Sequence, residues 1–519
     1  MKIFKCINSI AYLKIRQIFA LVGICVFVFV LSFYFQNGYL DMGEDKHKAF
    51  LYTAGVVVIL WFLLVVIDFI RLHKDKSLWQ DRIGGTRLIK WVVIFLLAGI
   101  ISTLFSKYKS VSFYGNEGWY QGLLTQILMV GLYVIIYDLT RALKESHLRV
   151  FIGVILIIVT ITIFLGFLNR FSIFPIKMEG EAEDYISTLG NINWYCGYWV
   201  IWTGIICGLF ITSDGIKEQI LLGTLIFIMA ISGVGCGASS AYLGWMGISF
   251  VSVLIVLSRL EYYLRFVYIQ IIALAALPFI RFVGFLRPHR MWYDSTWLKE
   301  VTYGTAWILP FELGIGICIG LIFLGKGLSE RLTNLRGIII GIALGCIAVY
   351  FTLLVFNTIT VGGIWPVRGI GLFYWSDDWG NGRGGIWRYS VGMLRGMSLS
   401  NIIFGVGCDC FCAYAYSSTD IMEKLYFVIG DQYLTNAHNE IITMLINQGI
   451  VGCIAYIGLL VTHFREAVSL SKRNTLGLAY ALAISGYIAV GLVGFMQVLS
   501  TPFLFLIMGM IGGLNAKYS

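Results

Sequence analysis

Charge is scarce in this chain. Asp, Glu, Lys and Arg together make up 13% of the 519 residues, against 59% hydrophobic ones. A water-soluble domain of that size has nowhere to hide so much apolar surface, so soluble enzymes and binding modules are excluded and the class is a polytopic membrane protein. Cysteine occurs eleven times but never as a C-x-x-C pair, which argues against a zinc site and a disulfide framework. Cys408, Cys410 and Cys412 stand two apart, a spacing that suits a strand edge or an irregular loop, and read as structural. A small-x-small cleavage site is missing after the basic, apolar opening MKIFKCINSIAYLKIRQIFALVGICVFVFVLSFYF, so that stretch is expected to stay as a first span. The net charge of +10 lacks a basic tract; its residues sit in short loops between apolar runs, so membrane topology rather than nucleic acid accounts for it.

What the chain does have is runs of bilayer length. They fall at 17–36, 49–70, 88–105, 119–138, 150–168, 191–212, 219–236, 241–258, 266–284, 303–325, 337–358, 440–462, 475–494 and 501–515. The expected fold is all-α: a polytopic bundle of about fourteen transmembrane helices, each near the roughly 20 residues a hydrocarbon core requires. The chain divides into an N-terminal transmembrane region at 1–358, a long polar interval at 359–439 and a C-terminal transmembrane region at 440–519. With the N-terminus in the cytoplasm, 23 of the 38 Lys and Arg residues fall inside and 15 outside, nine of the latter in just two long outer loops. Both termini are then cytoplasmic and 359–439 faces outward. All six prolines fall in outer loops (Pro175, Pro288, Pro366) or in the outer halves of spans (Pro278, Pro310, Pro502). Irregular backbone is tolerated at membrane depth only beside protein or water, so a hydrated cavity is expected on that side.

Candidate site residues cluster at the same face. SKYKSVSFYGNEGWYQGLL is rich in Tyr and Trp, as a ligand surface or a plain interfacial belt would be. STLGNINWYCGYW places Asn191 and Asn193 where a span begins, suited to capping the helix or to binding sugar hydroxyls. GVGCGASSAYLGW is small enough for close helix packing. In the long interval, GRGGIWRYSVGMLRG offers Arg383 between glycines, with Trp387 and Arg388 following. Arginine's planar fork matches phosphate oxygens and keeps its charge, although a helix anchored on lipid headgroups has the same composition. NAHNE sets His438 and Asn439 at the entrance of a span, His438 being flanked by Asn436, Asn439 and Glu440, which could fix its tautomer. Glu312 lies below Pro310 inside a span, as a functional carboxylate or one bonded to a neighbouring helix. GLIFLGKG nearly spells a phosphate loop, but Gly327 stands where Ser or Thr is required.

In their order and spacing, GRGGIW, FGVGCDCF and AHNEIITMLINQGIVG resemble the C-terminal region of the O-antigen ligase and O-antigen polymerase superfamily of bacterial membrane enzymes. YGNEGWYQGLLT and GNINWYCGYW extend the resemblance, from about residue 100 to 460. It is most specific at Arg383, Gly405, Gly407, His438 and Asn439. It implies a multi-span, metal-independent glycosyltransferase without cofactor, in the cytoplasmic membrane, acting on its outer side. The donor would be an undecaprenyl-pyrophosphate-linked glycan and the acceptor a glycan or glycolipid hydroxyl. Arg383 and His438 would be catalytic, with Asn439, Gly405, Gly407, Trp387, Arg388, Asn191, Asn193, Arg281 and Glu312 about the substrate. Many members carry Ser-Arg where this chain has Ser239 and Ser240, so a phosphate contact there must come from elsewhere, with Arg281, Arg290 and Arg368 as candidates, or be absent. The alternative classes are a lipid-linked oligosaccharide flippase, which would show related halves and midplane binding groups, and a glycan-binding sensor.

Overall fold

The computed structural model describes residues 9–72, 87–180, 183–287, 293–305, 308–327, 335–360, 371–430 and 433–518. Among the described residues, twelve helices are long and apolar enough to cross a membrane. They are α1 (Ser9–Phe33), α2 (Met42–Leu72), α3 (Arg87–Phe105), α5 (Leu123–Ala142), α6 (Glu145–Arg170), α7 (Ile192–Thr212), α8 (Ile216–Gly235), α9 (Ser239–Val256), α10 (Leu260–Leu286), α12 (Ile308–Gly327), α13 (Leu335–Ile359) and α18 (Glu440–Leu470). Short helices occupy the connections: α4 (Lys109–Tyr114), α11 (Thr296–Tyr303), α14 (Arg383–Arg395), α15 (Leu399–Phe404), α16 (Phe411–Ala415) and α17 (Thr419–Ile429). Two more close the bundle, α19 (Leu476–Gly491) and α20 (Thr501–Tyr518). Of the about fourteen spans expected, α19 is short: its 16 residues rise only about 24 Å, less than a hydrocarbon core. The one sheet among the described residues is a two-residue antiparallel pair, β1 (Tyr185–Ile186) with β2 (Gly190–Asn191), just before α7.

Small residues decide which helices sit at the centre. Every residue in the span window of α7 is buried, because Gly204 and Gly208 lie directly on Ala483 and Ala479 of α19, leaving no room for a Cβ. Gly509 and Gly513 bring α20 onto α5 in the same way, against Tyr133 and Tyr137. Without a hydrophobic drive between helices in lipid, such backbone approach is what dispersion packing needs. Spans from before and after the long interval share one apolar core, while the interval builds a smaller one around Met393, Val406 and Phe411, on which Ile446 of α18 packs. At the rim, α12 and α13 are only 11% and 6% buried.

One span is broken. Helix α18 passes through Gly449 at φ 66°, ψ −167°, which frees carbonyls that a continuous helix would have paired. The Gly405–Gly407 turn takes them up: Val406 N–H donates to the Ile446 carbonyl at 3.0 Å, and Gly407 N–H to that of Asn447 at 2.9 Å. Ser102 Oγ of α3 also donates to the Asn447 carbonyl, at 2.8 Å. Both turn glycines have positive φ, and a Cβ on Gly405 would strike the Asn447 carbonyl. Pro175, Pro278, Pro310 and Pro502 all lie toward the end of the bundle that carries this loop, as the proline asymmetry predicts; Pro288 and Pro366 are outside the described residues.

Gly405→Ala and Gly449→Ala should each cost more than the about 1–2 kcal/mol of left-handed backbone, since a collision is added. The expected result is a thermal midpoint in detergent lowered by several degrees for both, with Gly392→Ala, where an added Cβ meets nothing within 4 Å, unaffected. Equal midpoints for all three would contradict the pairing described.

Candidate functional site

His438 is held by its backbone. Its φ of 47° is left-handed, rare for a residue with a Cβ, and its N–H donates to Asn436 Oδ1 at 2.9 Å. The next residue, Asn439, caps α18 by accepting from Ile442 N–H at 3.0 Å and donates Nδ2 to the Leu492 carbonyl at 2.9 Å. The imidazole meets the Phe495 ring edge-on, with centroids 5.4 Å apart. Neither ring nitrogen has a hydrogen-bond partner among the described residues. The expected fixing of the tautomer by Asn436, Asn439 and Glu440 is therefore corrected. Asn436 serves the backbone, Asn439 the helix end, and Glu440 accepts from Tyr456 and Tyr487 hydroxyls at 2.5 and 2.7 Å.

Arg383 opens α14 and reaches the same place. Its Nε donates to the Val493 carbonyl at 3.0 Å and its Nη1 to that of Gly380 at 2.7 Å. Nη2 has no acceptor among the described residues. A cavity of about 20 Å³ is lined by Asn193, Trp194, His438, Glu440, Val493 and Gln497, among others, so the loop that Arg383 grips forms part of the wall beside His438. Burial first, and the Arg383 charge second, lower the His438 pKa to about 4. Burial also lowers the Arg383 pKa, opposed by the Asp294 carboxylate. Asp294 in turn accepts from Ser239 N–H and Oγ at 2.8 and 2.5 Å, leaving Oδ1 buried without a donor. The Ser239–Ser240 turn is thus tied to a carboxylate, and Ser240 Oγ donates to Asn193 Oδ1 at 3.1 Å.

The remaining candidates separate into neighbours and scaffold. Asn193 lines the cavity; Asn191 caps α7 through Asn193 N–H at 2.9 Å and donates to Asp184 at 2.8 Å. Trp387 packs tilted against the stacked pair Trp375 and Trp379, its centroid 6.1 and 5.6 Å from theirs, so the three rings form one platform. Arg388 is exposed and paired with Asp377 at 2.5 Å. Gly405 and Gly407 pack against backbone, as described above. Arg281 donates to the carbonyls of Thr302 and Val301 at the end of α11, at 2.6 and 2.9 Å, so it works as a helix cap rather than a phosphate ligand. Glu312 is exposed on the peripheral α12 and lines neither polar cavity. Arg290 and Arg368 lie outside the described residues.

Several residues escaped the sequence reading. Trp119 packs edge-on against Trp194 at 4.3 Å and Phe495 at 4.9 Å, drawing two connections and the first turn of α7 into one aromatic wall beside His438. Asp409 Oδ2 accepts from Asn116 and Gln121 N–H at 2.7 and 2.8 Å, while burial raises its pKa to about 7. The signal for Phe495 and Gln497 was the short GFMQVLST break between two apolar runs. The chain matches no model of a known protein family, and no curated protein matches it in sequence.

The folded pKa of His438 lies below its ordinary 6.5, so the folded chain binds fewer protons than the unfolded one between about 4 and 6.5. The stability it contributes is complete above 6.5 and is lost as pH falls through 4. Histidine-selective NMR should show His438 neutral down to about pH 4 and a raised pKa in Arg383→Met. A wild-type value near 6.5, or no change in the variant, would contradict this electrostatic picture.

Proposed function

We propose that this chain is a glycosyltransferase of the O-antigen ligase and polymerase type. On this reading α19 and α20 complete fourteen spans, both termini are cytoplasmic, and His438 with Arg383 faces outward. The observation that carries the proposal is the meeting of Arg383 and His438, 55 positions apart in the numbering, on the same loop, with Nη2 and both imidazole nitrogens uncommitted. A guanidinium and a neutral imidazole beside a cavity of about 20 Å³ suit one hydroxyl-sized group rather than a whole sugar ring. The rings of Trp375, Trp379 and Trp387 offer apolar faces on which sugars stack.

The reaction follows from these parts. The acceptor hydroxyl oxygen bonds to the anomeric carbon of the lipid-linked glycan as the bond from that carbon to the pyrophosphate oxygen breaks. His438 takes the hydroxyl proton, and undecaprenyl pyrophosphate departs with the electron pair. Arg383 Nη2 faces the charge that develops on it. Arrival of the pyrophosphate offsets the Arg383 charge, so His438 becomes a stronger base when the donor is bound. Asp294 and Glu440 hold the turn and the helix end that frame the pair.

In a deletion strain complemented with variants, His438→Ala should reduce glycan transfer by about 10²–10⁴, Arg383→Ala comparably, and Arg388→Ala far less. Single repeats still transferred without polymer would identify a polymerase, and intact polymer stranded on lipid a ligase. Donor accumulating on the cytoplasmic side would instead support a flippase, and unchanged glycans would overturn the proposal.

A further inference from the structure

Beneath the His438 site lies a second polar cavity of about 30 Å³, between the Asp409 turn and the break in α18. Five amides line it; Asn436 Oδ1 is taken by His438 N–H, and the other four are Gln121, Gln126, Asn447 and Gln448. Their relative exposures are 8%, 3%, 7% and 1%, and the side-chain oxygen of each is buried without a hydrogen-bond donor. Among the described residues, two carboxylates, Asp409 and Glu440, also line it, and no Lys, Arg or His does. Asp409 Oδ2 is taken by two backbone N–H groups, and Oδ1 has no donor among the described residues. Glu440 accepts from two tyrosine hydroxyls, one on each oxygen.

Buried acceptors in natural proteins are nearly always satisfied, and a group of them without donors marks a missing partner. Here the partner must bring positive charge or donors and very little volume. A sugar ring is too large for about 30 Å³, which is room for one or two water-sized species. Among the described residues no group of three or more His, Cys, Asp or Glu is placed to hold a metal, so a soft or transition-metal site is not what the lining offers. Amide and carboxylate oxygens are the ligands of hard cations. We propose that this cavity binds a hard, oxygen-liganded cation of calcium or sodium size, which ties the Asp409 turn, the Gln121–Gln126 segment and the broken α18 together below the His438 site. The cation touches no reacting atom, and the proposal stands whether or not the chain transfers glycans.

Full-length protein in detergent, stripped with chelator, is titrated with Ca²⁺, Na⁺ and Mg²⁺ while thermal unfolding is followed. Trp119 lines the cavity, so Tb³⁺ bound there should luminesce on indole excitation. The expected result is a saturable rise in the unfolding midpoint with Ca²⁺ or Na⁺ and displacement of Tb³⁺ by the same ion. Asp409→Asn and Asn447→Leu should each weaken binding at least tenfold, while Asp377→Asn on the exposed loop leaves it intact. Should Asp409→Asn not fold, Asn447→Leu and Gln448→Leu read the same quantity. No midpoint shift with any of the three ions, and Tb³⁺ emission no greater than in the cavity variants, would mean that the cavity holds only water and would overturn the proposal.

Discussion

A peptide carbonyl at membrane depth must find a donor inside the protein, and the fold turns on how one helix meets that demand. Where α18 breaks at Gly449, the carbonyls of Ile446 and Asn447 accept from Val406 and Gly407. That pairing is more than local repair. It fastens the long interval to a span, and Ser102 on α3 and Ser106, which donates to the Val406 carbonyl at 2.5 Å, fasten it to a second. With the middle of the interval pinned, its two polar ends come to rest on the same surface. His438 then enters α18 through the Asn439 cap, and Arg383 grips the Val493 carbonyl beyond α19.

The electrostatics of the site follow from burial. Removing His438 from water favours its neutral form, and the nearby guanidinium reinforces this. Two cationic groups side by side would repel, so one charged and one neutral is the arrangement this surface stabilises when empty. An anion between them reverses the balance.

Much of this was legible in the chain. The apolar runs marked the spans because bilayer thickness sets their length, and the proline asymmetry picked out the end that carries the irregular backbone. Arg383 and His438 stood out by residue type, and the structure brings them to one loop. Their neighbours did not stand out, because the deciding contacts join distant positions: Asp409 serves N–H groups of Asn116 and Gln121 nearly three hundred residues earlier. Gly449 was hidden inside the run LINQGIVG, where hydropathy reads straight through a break. Arg281 and Asn439 looked like ligands because a helix cap and a phosphate clamp use the same donors. Only the carbonyls they meet tell the two apart.

The account rests on the polar surface facing away from the cytoplasm. Single cysteines at Arg388, exposed beside the Trp platform, and at Lys472, exposed at the opposite end of the bundle, test this in intact cells with a membrane-impermeant maleimide. Arg388→Cys should label above the wild-type background without permeabilisation, and Lys472→Cys only after it. Labelling of Lys472→Cys alone in intact cells would contradict the account.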